Sequence, residues 1–345
     1  MIRFFNPGLS YLKNKEEYLS EIDRVLTNGD LILRSDLEKF EQALAEFCGT
    51  KYAVGLNSGT DALYLALWAY GIGEGDEVLV PSHTFVATAQ VVKQLGATPV
   101  LYDMDGVFTI TPKTKAIMPA HIAGDFSCDM EALTNLAREH NLIVIEDACQ
   151  SLGAIQNGKK AGAWGQAGAF SFYPAKILGA FGDAGALVTD SEELYLKVKE
   201  LRNHCKGDTS KWGINSRLDN LQAAVLNIKI RNLPETLRRR EEIAEMYLQG
   251  LKNVDLPKRV VGRVWQDFII RTPKRDELFA YLKEKGIETM KNEYPFPIPK
   301  LPLSISYESE TLRLPINEVI TDEEVHEIIK AINDFDSQEA VNELN

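Results

Sequence analysis

A chain of 345 residues allows about two domains, or one large domain with an appendage. Lys+Arg of 38 against Asp+Glu of 50 gives a net charge of -12, which excludes general nucleic-acid binding through a basic surface. The composition, 45% hydrophobic and 26% charged, is that of a soluble enzyme; no apolar stretch is long enough for a membrane span, and MIRFFNPGLSYLKNKEE lacks the pattern of a signal peptide. Cys48, Cys128, Cys149 and Cys205 are scattered and the five histidines show no paired spacing, so a reduced, cytoplasmic protein without a metal site is expected.

Residues 1–34 form a preamble with one predicted helix, Lys15 to Leu26. Ser35 with Glu38 three residues on reads as a capping box, and Leu37, Phe40, Leu44 and Phe47 then recur at helical spacing until Gly49. In NSGTDALYLALWAYG a Gly–Thr step opens an apolar helix. The free N–H groups there suit a phosphate at Gly59 and Thr60, although Asn, Ser and Thr also cap helices with no ligand. Strands and helices then alternate: EVLVPS, VATAQVVKQLG, TPVLYD, KAIMPA, MEALTNLAREHN and LIVIEDA. This alternation implies βαβ units and a mostly parallel sheet covered on both faces, which accounts for the almost unbroken apolar run LIVIE. Ligands in such sheets sit beyond the carboxyl ends of the strands, where His83, Phe85, Asp147, Gln150, Ser171 and Lys176 all fall.

The stretch FSFYPAKILGAFGDAGAL places a single lysine, Lys176, among small and aromatic residues. A lysine desolvated in this way can attack carbonyls and form a Schiff base; an ordinary turn lysine between two strands fits the local sequence equally well. Beyond it, AGALVTD reads as a strand and Asp190 with Glu193 as the start of a helix. KGDTSKWGINSRLDN is a long polar loop of the kind that carries function, and an amphipathic segment follows it. Pro234 opens a long charged helix to Leu251, and the domain boundary is placed there: a large α/β domain over 1–233 and a smaller α+β unit over 234–345. The smaller unit reads as a strand VWQDFIIR, a helix DELFAYLKEKG, a proline-rich loop YPFPIPKLP, a short strand TLRLP and a last helix capped by Thr321 and Glu324; the polar tail DSQEAVNELN is expected to be loose.

With NSGT, IEDACQS, FSFYPAK and NSRLDNLQAAVLNIKI in this order, the chain resembles the sugar aminotransferases of the DegT/DnrJ/EryC1/StrS family, within the type I pyridoxal-phosphate enzymes. The resemblance runs from NGDLILRSDLEKFEQALAEFCG to the TDEE of the last helix. It implies the type I pyridoxal-phosphate-dependent transferase fold, an α/β architecture with a smaller C-terminal α+β domain. It implies that Lys176 carries pyridoxal 5'-phosphate as a covalent aldimine and shuttles protons. Asp147 would pair with the ring nitrogen, Gln150 with the phenolic oxygen, and the Phe85 ring would stack on the cofactor. Gly59, Thr60 and Ser171 would hold its phosphate, joined by Asn215 from the partner subunit of a homodimer. Relatives with histidine at the lysine position act as dehydratases; Lys176 favours transamination.

The implied reaction is ping-pong, from glutamate to a keto nucleotide-sugar. PSHTFVAT resembles members acting on 3-keto hexoses, with a 4-keto sugar as the alternative. A lyase or desulfurase and a regulatory relative with the same fold are further alternatives; dinucleotide binding is disfavoured because no GxGxxG follows the first strand. Two features depart from the family pattern. Glu293, in NEYPFPIPKLP, stands where relatives carry the first histidine of a His-Tyr-Pro stretch, and the segments LYDMDGVFTITPKTK and that before TLRLP are short. Glu293 beside an anionic diphosphate would be repulsive unless it pointed away.

Overall fold

The computed structural model describes the backbone of residues 1–342 and the side chains of residues 1–335. The larger unit carries β1 (Tyr52–Leu56), β2 (Glu77–Pro81), β3 (Thr98–Tyr102), β4 (Thr114–Ile117), β5 (Ile143–Asp147), the small hairpin β6 (Ile155–Gln156) and β7 (Lys159–Lys160), then β8 (Ala167–Ser171) and β9 (Gly185–Thr189). A 7-stranded sheet has the order β1-β9-β8-β5-β4-β2-β3, in which β9 alone runs against its neighbours. The expected mostly parallel sheet is thus present, with the segment after the lysine as its antiparallel member.

Side-chain alternation explains the layers. Val54, Leu56, Ala167, Ala169 and Leu187 point to one core with Leu63, Leu67 and Val91 from the helices Gly59–Ala69 and Ala87–Gln94. Their strand neighbours Ala53, Phe170, Ala186 and Val188 point to the other core, with Leu37, Phe40 and Leu44 of the helix Ser35–Cys48 and Leu226 of the helix Asn220–Arg231. A sheet buried on both faces needs apolar residues at nearly every position, as LIVIE suggested, with the hydrogen-bonded Glu146 as its exception.

The helix Leu233–Gly250, with Pro234 in its first turn, leads into a smaller unit built on β10 (Phe268–Arg271), β11 (Met290–Lys291) and β12 (Thr311–Leu314). These form an antiparallel sheet of order β10-β12-β11. Its core joins Tyr247, Phe268, Leu282, Leu312 and Ile328, and Ile2 enters the same cluster through a bridge to Ile287. The last helix, Asp322–Asn342, opens with the reciprocal capping box read from sequence: Glu324 N–H donates to Thr321 Oγ1 at 3.2 Å and Thr321 N–H donates to Glu324 Oε2 at 3.0 Å. The helix continues through part of the segment expected to be loose; residues 343–345 of that segment lie outside the described residues.

Four expectations change. The preamble holds two helices, Pro7–Lys13 and Lys15–Asn28, rather than one. Ser35 is the first helical residue rather than a cap, and the Leu37 N–H in its first turn is shared between the Arg34 carbonyl at 3.1 Å and Asn220 Oδ1 at 3.0 Å from the helix beneath. The cap of the helix Glu192–Leu201 is Ser191, whose hydroxyl accepts the Leu194 N–H; Asp190 instead accepts the Lys51 N–H at 2.9 Å. The segment between the prolines and TLRLP forms a helix, Pro302–Glu310, rather than a loop.

That helix docks on the larger unit. Asp103, just past β3, accepts the N–H groups of Leu303 and Ser304 at 2.8 and 2.9 Å and the Ser304 hydroxyl at 2.7 Å, capping the helix from across the interface. Ser82 accepts the Leu301 N–H beside it. Burial alone would raise the Asp103 pKa, but the bonds from Ser304, Leu303 and Met104 outweigh it and hold this carboxyl below its usual value. Its stabilising contribution is therefore complete at neutral pH and lost as the pH falls through the lowered pKa. Asp103→Ala should cost about 1 kcal/mol in denaturant unfolding at pH 7, and less when unfolding is repeated in acid.

Candidate active site

The carboxyl ends of the parallel strands and their following turns bring most of the predicted residues to one edge. Past β1, Ser58 caps the helix Gly59–Ala69, its hydroxyl accepting the Asp61 N–H at 3.1 Å. The N–H groups of Gly59 and Thr60 lie in the first turn, where a helix has no internal partner for them. Gly59 is required by contact: a Cβ there would stand 2.5 Å from Cys149 Sγ and 3.0 Å from Ser171 Cβ. Gly185 does the same from β9, since its Cβ would stand 2.1 Å from the Ser58 carbonyl carbon. The helix start, Ser171 at the end of β8 and the turn after β5 are thus in direct contact.

Asp147 closes β5 and is 8% exposed. Its carboxylate accepts the Thr88 hydroxyl at 2.7 Å and the Cys149 N–H at 3.2 Å, both neutral donors. Thr88 also contacts the Phe85 carbonyl, so the loop after β2 is fastened to the aspartate. Phe85 itself is 53% exposed, an apolar ring left open beside a buried anion. Lys176 is half-buried on the turn after β8, where its N–H donates to Tyr173 O at 2.8 Å. Burial and the Asp147 charge push the Cys149 thiol well above its usual pKa while Lys176 acts in the opposite sense, so the lysine, the aspartate and this cysteine share one neighbourhood. A thiol held protonated is a poor nucleophile, which disfavours desulfurase chemistry at Cys149.

Gln150 is buried with its amide engaged on both sides: Oε1 accepts the Ala123 N–H at 3.0 Å and Nε2 donates to Tyr294 Oη at 3.2 Å, leaving one N–H hydrogen. Asn215 has an exposed side chain, and its carbonyl accepts from Asn57 Nδ2 at 3.1 Å, which ties the polar loop to the residue before Ser58. His83 turns away from the aspartate. Its Nδ1 meets Glu308 at 2.9 Å on the helix Pro302–Glu310, where Lys300 also pairs with that carboxylate. Glu293 is paired with the buried Arg275 at 2.8 Å, which neutralises the acidic departure noted in the sequence.

Sequence reasoning missed two supports. Thr88 was visible as a hydroxyl three residues after Phe85. Glu146, beside Asp147 but on the opposite face of β5, is fully buried and accepts N–H groups from Gly162, Trp164 and Gly165 as well as pairing with His121 Nε2 at 3.1 Å. Its partners are spread along the chain, so no local spacing announces it.

The sheet order, the smaller unit packed over it and the lysine turn after β8 define a type I pyridoxal-phosphate-dependent transferase. The model of the DegT/DnrJ/EryC1/StrS aminotransferase family matches residues 12–333, and the chain belongs to that family. It is 40% identical over 363 residues to the dTDP-3-amino-3,6-dideoxy-alpha-D-galactopyranose transaminase of Aneurinibacillus thermoaerophilus, covering 97% of this chain and 99% of that one. It is also 40% identical over 300 residues to a UDP-N-acetyl-3-dehydro-alpha-D-glucosamine 3-aminotransferase of Acidithiobacillus ferrooxidans, covering 82% of this chain and 81% of the relative. Among solved structures, S. venezuelae DesV in complex with a ketimine intermediate superposes with a TM-score of 0.90 at 38% identity, over 97% of this chain and 98% of DesV. Thr88→Val preserves shape but removes one donor from the buried Asp147, and should cost about 1–3 kcal/mol in urea unfolding. Thr88→Ser, which keeps the hydroxyl, should recover part of the loss in the same measurement.

Proposed function

We propose that this protein transfers an amino group from glutamate to the keto carbon of a nucleotide-linked hexose, with C3 as the carbon aminated, by a ping-pong reaction in the cytoplasm. The observation that carries the proposal is the buried Asp147 carboxylate, which among the described residues accepts hydrogen bonds from neutral donors only and is tied through Thr88 to the loop of the exposed Phe85. An anion buried this way calls for a cationic partner, and a protonated pyridine nitrogen is one. The residues present therefore fit pyridoxal phosphate, which supplies, when bound, a carbonyl to receive the amino group and a ring that withdraws electrons.

Each residue has a role in this proposal. Asp147, fixed by Thr88, keeps the ring nitrogen protonated. Phe85 would pack on the ring of the cofactor, and the remaining N–H of Gln150 would serve its phenolic oxygen. Gly59 and Thr60 offer N–H groups at a helix start, and Ser171 a hydroxyl, to the phosphate. Lys176 would hold the cofactor covalently, and its Nζ would take up and return the proton at the reacting carbon. Asn215 completes the phosphate site of the partner in a homodimer. The choice of a 3-keto acceptor rests on the two relatives named above, both described as 3-amino or 3-aminotransferase enzymes. Their nucleotides differ, dTDP in one and UDP in the other.

The purified protein supplied with pyridoxal phosphate should show a visible band that bleaches on adding glutamate, and a 3-keto nucleotide sugar should restore it; product NMR would then report the carbon aminated. An unchanged spectrum would overturn the proposed donor, and an amine at C4 the proposed acceptor. Lys176→Ala should fold normally and lose turnover. Mixed dimers of Lys176→Ala and Asn215→Ala chains should recover part of the activity that each parent lacks, since one of their two sites would carry both native residues.

A further inference from the structure

The lysine turn is held from outside the larger unit. Gln266 lies just before β10 and is 8% exposed. Its side-chain Oε1 accepts the Ile177 N–H at 3.0 Å, and its Nε2 donates to the Ala175 carbonyl at 3.1 Å. These are the peptide groups on either side of Lys176, so one carboxamide spans the lysine as a neighbouring strand would. A primary amide is suited to this because it carries donor and acceptor side by side. The turn's own hydrogen bond, from Lys176 N–H to Tyr173 O, leaves both flanking groups free for it.

Gln266 is itself anchored. Arg240, buried in the helix Leu233–Gly250, donates through Nη1 to the carbonyls of Trp265 at 2.9 Å and Gln266 at 3.2 Å. Two residues earlier, Val264 N–H donates to Gly124 O at 2.9 Å. Gly124 has φ +89, and a Cβ there would stand 1.7 Å from Val264 O, so this approach admits glycine alone. The amide is thus the tip of a rigid path from the long helix to the lysine backbone.

We propose that Gln266 is a positioning residue for the transamination, in which the smaller unit sets the place and direction of the Lys176 side chain through a two-bond amide clamp. The proposal rests on the assignment of Lys176 above. Proton transfer at a carbon demands placement of the base to within a fraction of an ångström, and displacement of about 1 Å costs on the order of a hundredfold in rate. A clamp on both adjoining peptide groups removes the freedom that would allow such displacement.

Borohydride reduction of the loaded wild-type enzyme followed by peptide mapping should first place the cofactor on Lys176; a label elsewhere would overturn the Lys176 assignment rather than the clamp. With the label on Lys176, Gln266→Met should melt at a lower temperature, because two buried peptide groups lose their partners, but still fold and retain its cofactor content, while the glutamate-driven bleaching of the folded enzyme slows by about a hundredfold with little change in the glutamate concentration for half-maximal rate. Gln266→Glu offers a donor and an acceptor only while its carboxyl is protonated. Its visible band and bleaching rate should therefore follow a pH limb that wild type lacks, with function recovered on the acid side. A folded Met variant reacting within twofold of wild type would overturn the proposal. If neither variant folds, hydrogen exchange on the wild-type holoenzyme decides: strong protection of the Ile177 amide is expected, and exchange as fast as in the exposed loop around Asp208 would overturn it.

Discussion

The carboxylate of Glu146 is the constraint on which the site depends. It is fully buried in the middle of the sheet, and its oxygens are satisfied by three backbone N–H groups and a histidine. A buried charge is tolerable only when it is hydrogen-bonded in this way, and removing any donor leaves a costly vacancy. The network thereby fastens the 162–165 turn and His121 to the end of β5. The backbone on the other side of the strand is fixed in turn: Asp147 N–H meets Pro119 O, and His121 N–H meets Asp147 O. Asp147 presents its carboxylate from a strand end that cannot shift without breaking that set.

The second requirement is that the smaller unit lie where it does. Asp103 caps the helix Pro302–Glu310, Glu308 on that helix meets His83, and Tyr294 meets Gln150. Burial pushes the Tyr294 hydroxyl up to about 12, so it remains a neutral partner for the amide at any working pH. Polar contacts of this kind are directional, and they set the orientation of the two units more sharply than apolar packing alone. The candidate site is therefore a product of both units, although most of its side chains come from one.

How much of this was legible in the sequence depends on the range of the interaction. Strand and helix alternation, the parallel sheet and the strand-end placement of Asp147, Ser171 and Lys176 follow from local periodicity, and the capping box at Thr321 was correct because both of its residues lie within one turn. Ser35 looked identical in kind, but its helix is capped by Asn220, far away in the chain. The helix Pro302–Glu310 was hidden because its first turn is capped by Asp103 rather than by its own residues, and a proline-rich lead-in reads as a loop. Thr88, Glu146 and Gln266 share the same difficulty: each acts on a residue that only folding brings near. The motifs named the candidate residues, while the side chains that support them were distributed over distances that no motif spans.

The bridge between Ile2 and Ile287 has a consequence for biosynthesis. Ile2 and its partner in the second core, Ile287, are separated by most of the described chain, so the partner is made long after Ile2. The larger sheet can assemble in the meantime, because its strands lie between these two residues in sequence. Ile2 cannot make this pairing until Ile287 has been added. Long-range pairings of this kind form late and slow the final step of folding. Completion of the smaller unit is thus the event that gathers in Ile2.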